Sequence, residues 1–231
     1  MSLLSSHSLF HFTHDLDTLH KILTLGLKYG LITEKIPGNP LIYMIPSISF
    51  CNIPLSSIHE HKKWYGSYAI GFKPDFVRRI GGTPVLYCHN TSHSLLCSRG
   101  HKHLSFYENH PITPYLKRVS GMQPEYKTKR LRFKYFYNEK EWRVVDKAYF
   151  KVLSIDDNGM KDKIEKDYSS RVPHYCDLSF DSITHIMVKN QKEIPYLVNW
   201  MEGDPVVSSY CIDYPEFVSR IISFEQIQKD V

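Results

Sequence analysis

The sequence predicts an α+β fold built on a mixed, strongly twisted sheet. Three observations point there. Segments rich in β-branched and aromatic residues recur along the chain, short amphipathic helical patterns separate them, and the two kinds follow no regular strand–helix–strand alternation. No glycine-rich phosphate loop occurs, which excludes the Rossmann and P-loop architectures.

Residues 8–12 read as a short strand that carries His11 among apolar neighbours. Asp15 is placed to start a helix, with Leu16, Leu19, His20, Leu23 and Leu27 near one face and Gly26 and Gly30 toward its end. Residues 41–50 form the next strand, which Pro46 is expected to interrupt. Asn52-Ile53-Pro54 turns the chain into a helix over 55–64, which Gly66 ends. A strand at 68–72, a short helix at 74–80 and a strand at 83–88 follow. Residues 89–128 are rich in Asn, His, Ser, Gly and Pro, with traces of helix near Leu95 and over 104–107. A structureless loop this long is unusual inside a compact domain, so the segment is expected to be an insertion, a lid or a partner-binding element beside the functional cleft. Strand character returns over 130–145, and residues 154–175 are polar and read as an irregular connection. Residues 183–188 are a strong strand, 194–201 and 215–220 suggest short helices, and 222–227 close the fold. There is no internal repeat, and residues 1–231 are expected to form one domain.

Hydrophobic residues make up 42% and charged residues 23%, as in ordinary globular proteins. The formal charge of +5 permits a nucleic-acid partner without demanding one. Its distribution says more: eleven Lys or Arg lie between Lys117 and Lys151, against Glu125, Glu139, Glu141 and Asp146. That stretch reads either as a docking face or as a solvated strand-and-loop surface. The five cysteines, at 51, 88, 97, 176 and 211, form no CxxC, and residues 1–12 lack the basic start and apolar run of a secretory signal. Free thiols in a reducing cytoplasm are the expectation, with no membrane span. Thirteen histidines invite a metal site, but no HExxH or Cys–His pattern supports one, so none is expected.

Three clusters are suited to chemistry. His11, within LFHFTH, is either a satisfied core residue or a neutral imidazole placed to hold a ribose hydroxyl. Glu139 and Glu141, within FYNEKEWR, are spaced to share one side of a strand. Like charges that close would raise one carboxyl, and the pair could divide the work of orienting a nucleophile and stabilising a cationic sugar. The alternative is an exposed Glu-Lys-Glu strand face. Ser47 and Ser49, on a strand leading into the turn at Asn52, can line a cleft or satisfy backbone groups.

The order of these clusters resembles the AbiGi family of abortive-infection proteins of bacterial phage defence. The resemblance rests on LFHFTHDLDTLHKILTLGL, ISFCNIPLSSIHEHKKWYGSYAIGF, TPVLY, FYNEKEWRVV, SFDSITHIMV and ISFEQIQKDV, and covers most of the chain except 89–128 and 154–175. The opening FHFT strand, followed by a helix ending in Gly-Leu, is also similar to the start of DarT-type ADP-ribosyltransferases, which use NAD on nucleic acid. That second likeness implies an ADP-ribosyltransferase-like fold. In that superfamily a His or Arg on the first strand holds NAD, a Ser, Thr or Tyr stands on a middle strand, and a Glu on a later one. By pattern order these roles fall on His11, Ser49, and Glu141 or Glu139.

Two functions follow as expectations. In the first, the chain is an enzyme that binds NAD with His11, Thr13, Ser49, Tyr65 and Tyr68. It expels nicotinamide with Glu141 and Glu139, and passes ADP-ribose to an acceptor, with Tyr137 a further candidate to stack on nicotinamide. An RNA or DNA acceptor would be held by Lys129, Arg130, Arg132 and Lys134. In the second, implied by the antitoxin role attached to AbiGi proteins, the chain is a non-catalytic antitoxin or sensor that docks a cognate protein of the same defence system. A bare nucleic-acid binder is the weakest reading, because no helix-turn-helix, RRM or KH signature occurs.

Overall fold

Nine strands join into one mixed sheet in this computed structural model, which describes residues 7–89, 104–210 and 214–230. In chain order the elements are β1 (Leu9–Thr13), α1 (Leu16–Leu25), β2 (Leu27–Lys28), β3 (Gly30–Lys35), β4 (Leu41–Cys51), α2 (His59–Tyr65), β5 (Tyr68–Phe72), α3 (Pro74–Arg79), β6 (Thr83–Pro84), β7 (Leu86–Cys88), α4 (Leu104–Asn109), β8 (Leu116–Arg118), β9 (Ser120–Pro124), β10 (Leu131–Tyr135), β11 (Glu141–Val145), β12 (Lys151–Ser154), α5 (Asn158–Ser169), β13 (Tyr175–Cys176), β14 (Ile183–Val188), α6 (Glu193–Gly203), α7 (Pro205–Tyr210), α8 (Tyr214–Val218), β15 (Ile221–Ser223) and α9 (Phe224–Asp230). The main sheet runs β15-β14-β5-β1-β4-β11-β6, with β3 and β12 also paired to β4. The β14–β15 pair is parallel and the other pairs of that sheet are antiparallel. The fold is therefore mixed α/β, consistent with the α+β expectation.

β4 organises this sheet, and its residues are buried almost throughout. β3 pairs with residues 42–47 along one edge, while β12 and β11 follow each other along the opposite edge, at 41–44 and 47–51. β1 meets β4 at Phe10↔Cys51, beyond the end of β3 and across from β11. β3 and β1 thus share one edge of β4 and diverge from each other. Their divergence opens a cleft beside the second half of β4.

Alternation along the strands sorts the core onto two faces. Leu9, Phe50, Ile70, Phe72 and Ile186 pack on one side with Leu19 and Leu23 of α1 and Leu197 and Met201 of α6. Phe10, Cys51, Ala69 and Met187 pack on the other with Ile58 and Phe224. α1 starts where its cap chemistry dictates: the Asp15 carboxylate accepts from the Thr18 N–H at 2.7 Å. α2 ends at Gly66, whose φ of +103° and close approach to the Thr13 backbone leave no room for a Cβ.

The structure departs from the sequence expectation in several places. Pro46 does not interrupt β4. Its carbonyl accepts from the Asp146 N–H at 2.9 Å, so its missing N–H faces the same edge, at the step between β12 and β11 where the ladder needs no donor. The helix expected over 55–64 divides into a 3₁₀ turn (Leu55–Ser57) and α2. The strand over 83–88 divides into β6 and β7, and the strand over 130–145 into β10 and β11 around a 3₁₀ turn (Phe136–Glu139). The connection expected to be irregular at 154–175 carries the twelve-residue helix α5. Asp157 caps that helix on the Met160 N–H, and Ile164 anchors it against Ile42, Met44 and Leu153. One buried residue on an otherwise polar helix is too weak a pattern to read from sequence. Within the expected insertion, residues 104–128 form α4, β8 and β9, and β8 lies parallel to β7. The helix trace near Leu95 and part of the expected lid, 90–103, lie outside the described residues, as do Cys97 and Cys211.

Candidate functional site

The cleft beside β4 holds a cavity of about 440 Å³. β1 contributes His11, β3 Glu34, β4 Ser49 and Cys51, and β11 Glu141 and Arg143. Tyr65 closes it from the end of α2, Lys117 and Arg118 from β8, Met122 and Gln123 from β9, and Glu139 from the 3₁₀ turn before β11.

His11 Nδ1 lies 2.9 Å from the Ser49 carbonyl. A carbonyl oxygen only accepts, so Nδ1 carries the proton and, in the neutral ring, Nε2 is left as an acceptor. Burial lowers the pKa of His11, against the pull of the Ser49 carbonyl, and favours that neutral form. The Ser49 hydroxyl donates to Glu141 Oε1 at 2.7 Å. One strand step therefore links β1 to β4 through the Ser49 backbone, and the next links β4 to β11 through its side chain.

The two glutamates meet, by a different route from the expected one. They do not share a strand: Glu139 ends the 3₁₀ turn, Lys140 takes a left-handed conformation with φ of +44°, and Glu141 begins β11. Nor are they an exposed face, because both are almost fully buried. Lys117 bridges them, 2.9 Å from Glu139 Oε2 and 2.6 Å from Glu141 Oε2. Arg143 binds Glu141 Oε1 at 3.0 Å through Nε and at 2.9 Å through Nη2, and reaches Glu34 at 3.2 Å. Lys134 and the Tyr65 hydroxyl both hold Glu139 Oε1. Tyr43 accepts from Arg143 at 2.7 Å and donates to the Leu116 carbonyl at 2.7 Å, and the Glu141 N–H donates to the Tyr87 oxygen at 2.9 Å.

Charge balance decides the protonation states. Burial opposes ionisation of Glu141, but Arg143, Lys117 and the Ser49 hydrogen bond outweigh it and hold the carboxyl at about 2. Burial likewise opposes charge on Glu139, and Lys117 and Lys134 overcome it, so that its pKa is also lowered. The expected raising of one acid by its neighbour therefore does not occur: three cations face Glu34, Glu139 and Glu141. Lys117 is pushed up, since the three carboxylates exceed its own desolvation. Lys134 is pushed down, because its burial outweighs the pull of Glu139.

Of the residues singled out from sequence, His11, Ser49, Tyr65, Glu139 and Glu141 come together here. Thr13 is buried at the end of β1 and does not line the cavity. Tyr68 is buried on β5 and donates to Glu193 at 3.2 Å, away from the cavity. Tyr137 is exposed, edge-on to Tyr87. Lys129, Arg130 and Arg132 are exposed on the β9–β10 hairpin, but Lys134 is buried against Glu139 and is not free to meet a phosphate. Lys117, Arg143 and Glu34 escaped notice. Arg143 follows Glu141 at the two-residue spacing that shares a strand face, a legible signal; Lys117 sits in a stretch without periodicity and offers none.

Among the described residues no group of three or more His, Cys, Asp or Glu is arranged to hold a metal ion. No helix among them is long and apolar enough to cross a membrane. No curated protein and no solved structure gives a significant match to the chain. Residues 41–189, from the start of β4 to just past β14, match the family model described as "Putative abortive phage resistance protein AbiGi, antitoxin". That stretch contains Ser49, Tyr65, Lys117, Glu139, Glu141 and Arg143 and exceeds half the sequence, and the chain belongs to the AbiGi family.

Proposed function

We propose that the chain is an NAD-consuming ADP-ribosyltransferase of phage defence, acting in the cytoplasm. The observation that carries this reading is the convergence of His11, Ser49 and Glu141, from the adjacent strands β1, β4 and β11, on one cavity. These are the three roles, in the same order, that the likeness to DarT-type enzymes implies. The cavity falls within the size range of small-molecule sites, large enough for the nicotinamide–ribose half of NAD. His11 Nε2 would accept from a ribose hydroxyl, and Tyr65 would flank the ring. Arg118 lines the same cavity, and its buried Nε has no hydrogen-bond partner among the described residues, which suits a phosphate.

In the reaction the C1′–N bond breaks and its electron pair leaves with nicotinamide. Glu141 stabilises the resulting oxocarbenium ion. A nucleophile on RNA, DNA or protein then bonds to C1′ while Glu139 orients it, and the nucleophile's N–H or O–H bond breaks, its proton passing to solvent. The test is incubation with labelled NAD and separate pools of RNA, DNA and protein, with the neighbouring gene products supplied. Wild-type protein should release nicotinamide and label one pool, and Glu141→Gln should slow this by about 10²–10³. If the wild-type protein consumes no NAD and labels no pool, the reading fails.

One observation favours a second reading. All four oxygens of Glu139 and Glu141 are already bound to cations or hydroxyls of the chain itself. A cluster so complete suits a non-catalytic antitoxin or sensor that docks a cognate defence protein, in keeping with the family description. Full phage defence by a stably folded Glu141→Gln protein would favour that role.

A further inference from the structure

We propose that the outer face of the β9–β10 hairpin docks an acidic polypeptide segment, which adds as a strand along the free edge of β10. The inference does not depend on the catalytic reading.

The register pairs Leu131 with Pro124, Phe133 with Met122 and Tyr135 with Ser120, and directly opposed residues share a face. Leu131 is 63% exposed, Phe133 57%, Tyr135 59% and Met122 54%. Single exposed apolar residues are ordinary, but a contiguous ladder of them marks a contact surface. The alternate residue Lys134 is buried on the inner face, donating to Gln123 at 3.3 Å and held by Glu139, so the hairpin cannot roll its apolar side inward. Phe133 and Tyr135 pack edge to face, with centroids 5.2 Å apart, as a preformed anchor.

Two further features define the partner. β10 pairs with β9 and with no other strand among the described residues, so its other edge offers backbone groups for strand addition. Charge is one-sided: Lys127, Lys129, Arg130 and Arg132 cluster at the hairpin tip, where Glu125 is the acid within reach, 3.6 Å from Arg132. An extended acidic segment with large apolar side chains at alternate positions satisfies both. A nucleic acid fits less well. Its phosphates need cations spaced along the whole platform, whereas these gather at one end.

The test is selection from a phage-displayed library of random short peptides on the full chain, followed by affinity measurement on the enriched peptides. Phe133→Glu and Phe133→Ala serve as comparison proteins. Phe133 is solvent-exposed, so neither substitution should change the melting temperature, and this is checked first. Enriched peptides should be acidic with alternating apolar residues, bind less tightly as salt rises, and lose at least tenfold, on the order of a hot-spot truncation, on Phe133→Ala. Enrichment of peptides without acidic character, or binding that Phe133→Glu leaves intact, overturns the proposal, as does no enrichment. A single-stranded oligo-dT probe that binds wild type and not Phe133→Glu would make the face a nucleic-acid platform instead. A wild-type dimer that Phe133→Glu converts to monomer would make it a self-association surface.

Discussion

Replacing Glu141 by Gln is nearly isosteric, and shape alone predicts an intact, equally stable fold. The charges predict otherwise. Glu141 is almost fully buried between Lys117 and Arg143, and its carboxyl is held at about 2 against an ordinary value of 4.5. That displacement corresponds to about 3 kcal/mol of stability at neutral pH. Breaking a buried ion pair by removing one partner costs about 3–5 kcal/mol, and here Lys117 and Arg143 retain Glu139 and Glu34, so the lower end applies. For a chain of this size the melting temperature should fall by about 6–12 °C. The sign with pH follows from the depressed carboxyl. Its stabilising contribution is complete above about pH 4.5 and disappears as pH falls toward about 2. Thermal melts of both proteins from about pH 7 to about pH 3 should therefore show a gap that is widest at neutral pH and narrows steadily in acid. A variant within about 2 °C of wild type at neutral pH, or a gap that stays constant into acid, would refute the reasoning.

Lys117→Met should destabilise by a similar few kcal/mol, because two buried carboxylates lose their shared cation, and it should move the acid-unfolding midpoint to higher pH as Glu139 and Glu141 take up protons more readily. An unchanged acid midpoint would count against Lys117 as the bridge. His61 is held at about 4 mainly by burial, so as pH falls below 6.5 the unfolded chain takes up that proton first and about 3 kcal/mol of stability is lost by about pH 4. His61→Leu should flatten this part of a urea-unfolding pH series while leaving the steeper loss below about pH 4.5 in place; an unaltered slope between 6.5 and 4 would show that His61 does not titrate as described.

The strands at 9–13, 68–72 and 183–188 were legible because their apolar runs end at turn residues or glycines, and α1 because Asp15 caps a clean helical stripe. Pro46 misled, since whether proline breaks a strand depends on which edge its missing donor faces, and that is decided by β11 and β12 a hundred residues on. α5 was hidden because one buried residue, Ile164, holds it. In the site, His11, Ser49 and the two glutamates stood out as polar residues embedded in strand patterns. Their electrostatic state could not be read, because Lys117 comes from a segment whose fold is set by pairing with β7 and by the Tyr43–Leu116 hydrogen bond rather than by its own pattern.

The source of each cation constrains how the site can work. Arg143 lies on β11 with Glu141 and is fixed by Tyr43 and the Pro114 carbonyl, so it cannot leave without breaking the main sheet. Lys117 and Lys134 come from β8 and β10, which belong to two separate two-stranded sheets. A balanced cluster projects little net field into the cavity. Glu141 can favour a cationic sugar only to the extent that a neighbouring cation withdraws, and the two that can withdraw without disrupting the main sheet are these lysines. Lys134 stands on the inner face of the hairpin whose outer face carries Phe133 and Tyr135. A partner seated on β10 therefore bears on the strand that presses a cation against Glu139. Occupancy of the proposed docking face would therefore bear on the charge state of the candidate site through one five-residue strand, and for that reason the enzyme and antitoxin readings are best separated by measuring NAD consumption with and without an occupant on the hairpin.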